Sequence, residues 1–295
     1  MSSSGGQQSL RVVFASSLRR LMAPLGALTL AMSITPSVEA ASGQVVVPNG
    51  SPVQIAVVLD HSGGQATAGA SARNAIQMAI ERHPRIRGFK VQLNDFDGPC
   101  GGKVGDLRDI PSLNAAVATA VVQNPQNVAV IGHMCSTGEQ AALPTYEQAG
   151  VVTLSGSATN PSNPAFGPHV FNSVDVPDDV AGESDAWYAT VQTLPSDIRW
   201  RMKYQQEFGS PPDQFADLYF DAASLMLDQI AATAEIKGGN LVIDRASLAT
   251  AVRTVFESEE EGFKGVTCWI TLDSRGYRVN EPSSLAECAE AGRRD

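Results

Sequence analysis

The chain lacks much of what several function classes require. Its 21 lysines and arginines are outnumbered by 31 aspartates and glutamates, giving a formal charge of −10. A nucleic-acid binder needs a basic face, and this balance argues against one. No stretch reaches the roughly 18–20 consecutive apolar residues of a membrane-spanning helix. The four histidines, His61, His83, His133 and His169, are scattered, with no i,i+4 pairing. The four cysteines contain no C-x2-C spacing. Neither pattern suits a zinc site, and we expect no metal and no cofactor. Aromatic residues are few, at 6 %. Alanine is plentiful, which suits α/β layers packed with small side chains.

Enzyme signatures are also missing. Ser157 lacks the G-x-S-x-G elbow, because Ser155 stands where the first glycine belongs. Gly101-Gly102-Lys103 is followed by Val104 rather than Ser or Thr, so it is no phosphate-binding loop. His133 and Cys135 could form a nucleophilic pair, but Cys135 reads better as half of a disulfide. We expect no catalytic residue and no enzyme activity.

What is present begins at the N-terminus. Arg11, Arg19 and Arg20 precede the apolar run Leu21–Met32, and Val38-Glu39-Ala40 follows as a small-x-small site. A charged region, a short apolar core and small residues describe a cleaved secretory signal peptide at 1–40. The expected location is therefore the periplasm. Export suits disulfides, and we favour Cys100–Cys135 and Cys268–Cys288 among the open pairings, since each joins strand ends or the loops after them.

Apolar residues make up 43 % of the 295 residues, enough for a substantial core. Val53–Leu59, Phe89–Phe96, Val128–Ile131, Val151–Leu154 and Val170–Val174 read as strands. Helical spacing at Ala72–Ile80, Asp109–Gln123 and Thr137–Ala149 separates the first four. Alternation of this kind gives parallel pairing through right-handed crossovers. Ligands then sit outside the carboxyl ends of the strands. The loops there are Asp60–Thr67, Asp97–Asp109, Gly132–Ser136 and Ser155–Pro168. Beyond Asp178 the pattern weakens. Trp187–Thr193 reads as a strand, and Ser196–Phe208 and Phe215–Gln229 as helices. Asp244–Phe256 is a further helix, capped by Asp244. Gly265–Leu272 and Tyr277–Val279 flank a turn at Asp273–Gly276.

Chemistry concentrates in Val128–Pro161. Ser136 and Glu139 form a Ser-x-x-Glu capping box, marking a helix N-terminus that attracts an anion. Ser155–Asn160 supplies backbone carbonyls and the Thr159 hydroxyl from the next strand end. These loops could hold the carboxylate and ammonium of an amino acid, or could simply cap helices and make turns.

The runs VIGHMCS, ALPTYEQAGVV and LSGSATNP, in order, closely resemble the leucine/isoleucine/valine-binding proteins of ABC transporters, the type I periplasmic binding protein family. VQIAVVLDHSGGQATAG (Val53–Gly69), NDFDGPC (Asn94–Cys100), the helix Phe208–Asp228 and the segment Phe263–Asp273 extend the similarity over most of the chain. The resemblance implies two α/β lobes that close on an amino acid or another small polar solute, which is then presented to an inner-membrane ABC permease. It implies that Ser136 and Thr159 hydrogen-bond the ligand carboxylate. Ser157 would offer its carbonyl to the ammonium, beside Ala158 in the same loop. Cys100 and Cys135 match the family's disulfide positions.

Departures accompany it. Ala68 replaces an aromatic that many relatives carry in the glycine loop. Near Asp179–Val180 the pattern jumps, omitting on the order of a hundred residues, the size of a small domain. The expected organisation is lobe one at 41–178, a second-lobe remnant of about one strand and one helix at 179–208, and a return to lobe one at 209–295. Such a remnant cannot bury a core alone and must pack on lobe one or remain mobile. The other reading is a degenerate relative that no longer binds solute and acts as an interaction module.

Overall fold

The computed structural model describes residues 43–102, 107–158, 170–172, 197–257 and 262–270. Its centre is β2 (Val53–Leu59), buried along nearly its whole length. Alternate residues of β2 face opposite ways, as the strand period of two requires. Val53, Ile55, Val57 and Leu59 join one apolar core, and Ala56 and Val58 the other.

On each side of β2 lies a parallel neighbour, β4 (Phe89–Asp97) and β5 (Asn127–Gly132). β6 (Val152–Ser155) and β7 (Val170–Asn172) continue the parallel order beyond β5. The short β3 (Arg85–Ile86) adds an antiparallel edge beside β4. The full order is β3-β4-β2-β5-β6-β7.

Helices cover both faces, as a parallel sheet demands. α1 (Ala66–Arg82) and α5 (Ala216–Thr233) pack together on the larger core. α2 (Ile110–Gln123) and α3 (Ser136–Ala149) pack together on the other, through Ala118, Val121, Ala142 and Tyr146. Asp109 caps α2 by accepting from Ser112 N–H at 3.2 Å. Gly150 ends α3 in the left-handed conformation (φ 62°), the usual use of glycine after a helix.

α4 (Ile198–Phe208) begins at Asp197, which accepts from Arg199 N–H at 2.8 Å. It comes from the segment expected to remain of the second lobe. Its Trp200 and Tyr204 are buried in the larger core, and the Tyr204 hydroxyl donates to Ser71 O at 3.1 Å. The Trp200 and Phe220 rings stand 5.4 Å apart. An isolated helix has no core, so it borrows that of the first lobe. Among the described residues there is one large parallel sheet: the first lobe is largely complete and the second is reduced.

Two features depart from the sequence reading. β1 (Gln44–Val47), β8 (Glu235–Lys237) and β9 (Asn240–Asp244) form a small antiparallel sheet in the order β1-β9-β8. The β8–β9 turn is Gly238-Gly239, both at positive φ, where glycine carries no steric penalty. Gly265–Leu272 is not one strand: β10 (Phe263–Gly265) turns at Val266-Thr267 and returns as β11 (Cys268–Ile270). Asp221 on α5 explains the early turn. Its buried carboxylate accepts from Val266 N–H at 2.7 Å, Thr267 N–H at 2.9 Å and Thr267 Oγ1 at 2.6 Å. A Cβ on Gly265 would collide with that carboxylate. α6 (Arg245–Glu257) follows β9, with Asp244 accepting from Ser247 N–H at 2.8 Å. The expected strand Trp187–Thr193, the turn Asp273–Gly276 and the strand Tyr277–Val279 lie outside the described residues.

Candidate functional site

The carboxyl ends of β2, β4, β5 and β6 all reach one edge of the sheet, and the loops leaving them are tied to one another. The loop after β2 is organised by Asp60, which is fully buried. Its carboxylate accepts from the N–H groups of Ser62 (3.1 Å), Gly63 and Gln65 (2.8 Å). The chain's own anion therefore already occupies the entrance of α1. Cβ atoms on Gly63 and Gly69 would strike Cys100 O and Asp60 O, so both glycines are required by close backbone approach.

The loop after β4 closes on this one. Gly98 N–H donates to Leu59 O at 2.8 Å, and His61 N–H to Asp97 Oδ1 at 2.9 Å. Arg108 reaches back to Ser62 Oγ at 2.7 Å. The expected disulfide Cys100–Cys135 is formed, with Cα atoms 5.7 Å apart, and it staples this loop to the one after β5. Cys268 is also disulfide-bonded; its expected partner Cys288 lies outside the described residues.

Behind the staple sits a buried polar network. His133 is fully buried between Asn114 Oδ1 (2.7 Å) and the Tyr146 hydroxyl (2.9 Å). Asn114 Nδ2 donates to the carbonyls of Pro99 and Ile110, which fixes its amide orientation. Nδ1–H of His133 therefore donates to Asn114, and Nε2 accepts from Tyr146. Burial pushes the imidazole down to about 3, so it is neutral. With both ring nitrogens engaged and Cys135 in a disulfide, no Cys–His nucleophile exists here.

The loop after β6 joins from the other side. Ser155 Oγ donates to His133 O at 2.8 Å and accepts from Ala158 N–H at 3.0 Å. Ser157 Oγ donates to Met134 O at 2.7 Å and lies 2.8 Å from the Tyr219 hydroxyl. That geometry makes Tyr219 the donor to Ser157. Tyr219 is completely buried, and burial raises its pKa. A Cβ on Gly156 would come within 3.1 Å of its ring.

The structure thus brings Ser136, Ser157 and Ala158 to neighbouring loops at one edge, while Thr159 lies outside the described residues. The Ser157 hydroxyl is engaged within the protein. Ser136 is the first residue of α3, half-buried, but it is not the N-cap. Cys135 holds that position, with no side-chain cap bond, so the capping box expected of Ser136 and Glu139 does not form the N-cap. Cys135 is in the extended conformation (φ −113°, ψ 138°) usual for an N-cap, and the helix starts after it. Glu139 is buried on α3, and its N–H donates to Cys135 O at 2.9 Å. The N-termini of α1 and α3 therefore differ. Asp60 organises the loop leading into the first, with Gln65 N–H its last donor; the second has neither a carboxylate nor a hydroxyl on its N-cap residue and has the dipole of a 14-residue helix behind it.

Tyr219 and Asp60 were not singled out from sequence. Asp60 was visible as an acid closing an apolar strand run before two glycines. Tyr219 read only as one position of an amphipathic face.

No family model matches the chain. An amino acid binding protein of Pseudomonas aeruginosa is 32 % identical over 112 residues, 37 % of this chain and 28 % of that protein. The chain thus spans less than a third of that relative's length in the match. Among solved structures, a putative branched-chain amino acid ABC transporter protein from Rhodospirillum rubrum is 16 % identical with a TM-score of 0.61, covering 78 % of this chain and 95 % of that one. The substrate-binding protein LivJ from Streptococcus pneumoniae, solved with isoleucine, is 14 % identical with a TM-score of 0.58, covering 78 % and 94 %. These likenesses bear out the resemblance read from the sequence, and the fold is that of type I periplasmic binding proteins.

Proposed function

We propose that this chain is the exported solute-binding component of an ABC transporter, and that it takes an amino acid or related small carboxylate. One observation carries the reading. Four strand-end loops are locked into a single rim, and the α3 N-terminus at Ser136 is the place on that rim suited to a carboxylate. Ser136 and Thr159 would hold the carboxylate, and the backbone of Ser157 and Ala158 would face the ammonium. The same reading takes 1–40 as a signal peptide, the periplasm as the working location and an inner-membrane permease as the partner. The solved structures it resembles are named as transporter proteins, and among the described residues His133 and Cys135 are both engaged within the protein.

The test is a thermal-shift and calorimetric screen of residues 41–295 against amino acids and the matching acids lacking the amino group. A ligand at about a hundred times its Kd stabilises the folded state by roughly 2.7 kcal/mol. A clear upward shift with one class is expected. A flat response from well-folded protein would refute the reading in favour of a relative that has lost binding.

A further inference from the structure

At the opposite edge of the sheet a cavity of about 700 Å³ opens between two turns. One wall is the link from β1 to β2, Asn49–Pro52, and the other is the β3–β4 hairpin. Its lining includes Arg85, Arg87 and Lys90 and contains no carboxylate. All three cations are exposed. In a chain of formal charge −10, gathering cations without an acid in the same lining creates a positive potential against the average. Glu235, whose carboxylate feels the charge of Arg87, is held on Lys237 at 2.7 Å.

Both walls have fixed shapes. Arg87 (φ 48°) and Gly88 (φ 92°) are the central residues of a two-residue hairpin turn, and positive φ at both is what the strand twist selects. Arg85 Nη1 donates to Gly88 O at 2.8 Å, which holds its guanidinium across the turn. On the facing wall, Asn49 N–H donates to Asn240 Oδ1 at 3.1 Å and Ser51 N–H to Pro48 O at 3.0 Å. Phe89, nearly buried, lies in the lining between them. A concavity built in advance loses little freedom when filled. Guanidinium forks match the oxygens of a phosphoryl group in a bidentate manner, and an ammonium adds a point charge.

We propose that this cavity is a second binding site, for a phosphate-bearing anion, separate from the carboxylate rim and independent of the solute-binding reading. A free phosphate ester and a lipid headgroup share that chemistry, and the test has an arm for each. Calorimetry of the mature protein with inorganic pyrophosphate at low salt measures the first. Co-sedimentation with phosphatidylglycerol vesicles, against phosphatidylcholine vesicles, measures the second. Saturable one-to-one binding of pyrophosphate is expected, weakened about tenfold or more by Arg85→Ala with Lys90→Ala, as loss of charge-assisted contacts requires. Arg87→Gly serves as the second variant, because glycine keeps the positive-φ turn while removing the guanidinium; it must weaken binding too. Lys203→Ala, on α4, must not. Vesicle binding that disappears in the same variants assigns the site to a headgroup, and pyrophosphate binding alone assigns it to a soluble ligand. Absence of both, or binding that the Arg85, Arg87 and Lys90 variants leave unchanged, overturns the proposal.

Discussion

The hydroxyls of Ser157 and Tyr219 lie 2.8 Å apart in the buried loop after β6, joining the rim to the helix α5 behind it. The Ser157 side chain also donates to Met134 O, so its hydrogen-bonding capacity is used inside the protein. Tyr219→Phe should therefore destabilise the fold by about 1 kcal/mol, the usual worth of a lost hydrogen bond, and loosen the loop without removing a ligand contact. Urea unfolding checks the first effect. Hydrogen exchange at Ser157 and Ala158 checks the second, and unchanged protection there would contradict the link.

The disulfide closes a segment with a separation of 35 residues and joins two loops of the rim. Its removal by Cys100→Ala with Cys135→Ala should lower stability by roughly 2–4 kcal/mol. Wild-type protein treated with a reductant should move toward the double variant in a denaturant titration. The double variant itself should not respond through this bond.

The pH dependence follows from two buried groups of opposite sign. His133 is held neutral in the fold at about 3, below its unfolded value of 6.5. The unfolded chain therefore binds the extra proton first, and stability is lost as pH falls from 6.5 toward 3. Asp221 is pushed up to about 6 from 3.8, chiefly by burial. Its contribution runs the other way: it is full below 3.8 and is lost as pH rises toward 6. Each slope is about 1.4 kcal/mol per pH unit where the group titrates, so the two largely offset between pH 4 and 6. Asp221→Asn should steepen the acid loss in that window, and His133→Asn should reverse it, leaving stability that falls as pH rises. Denaturation midpoints from pH 4 to 7 for the three proteins decide this.

The layered α/β core was legible because its strands are continuous apolar runs and its helices keep a regular spacing. Val53–Leu59 before Asp60, and Thr137–Ala149 before Gly150, could hardly be read otherwise. The Cys100–Cys135 pairing was legible because both residues follow strand ends at the same edge. The β1-β9-β8 sheet was missed because β8 is three residues long and exposed, and because the apolar runs of β1 and β9 are short and lie far apart in sequence. The β10–β11 turn was missed because Val266 and Thr267 look like strand residues. Asp221, distant in sequence, imposes the turn through three donors. The start of α3 was off by one residue, because Ser136 and Glu139 spell a capping box while Cys135 holds the N-cap.

The most direct test of the carboxylate rim is calorimetry of the ligand found in the screen, comparing wild type with Ser136→Asp. An aspartate in the first turn suits the helix dipole, so the fold should be kept or slightly stabilised. Its carboxylate would occupy the place offered to the ligand. The account predicts that binding falls by at least about tenfold, some 1.4 kcal/mol, in a protein whose melting temperature is no lower. Undiminished affinity in the folded Ser136→Asp protein would show that the ligand does not bind at the α3 N-terminus.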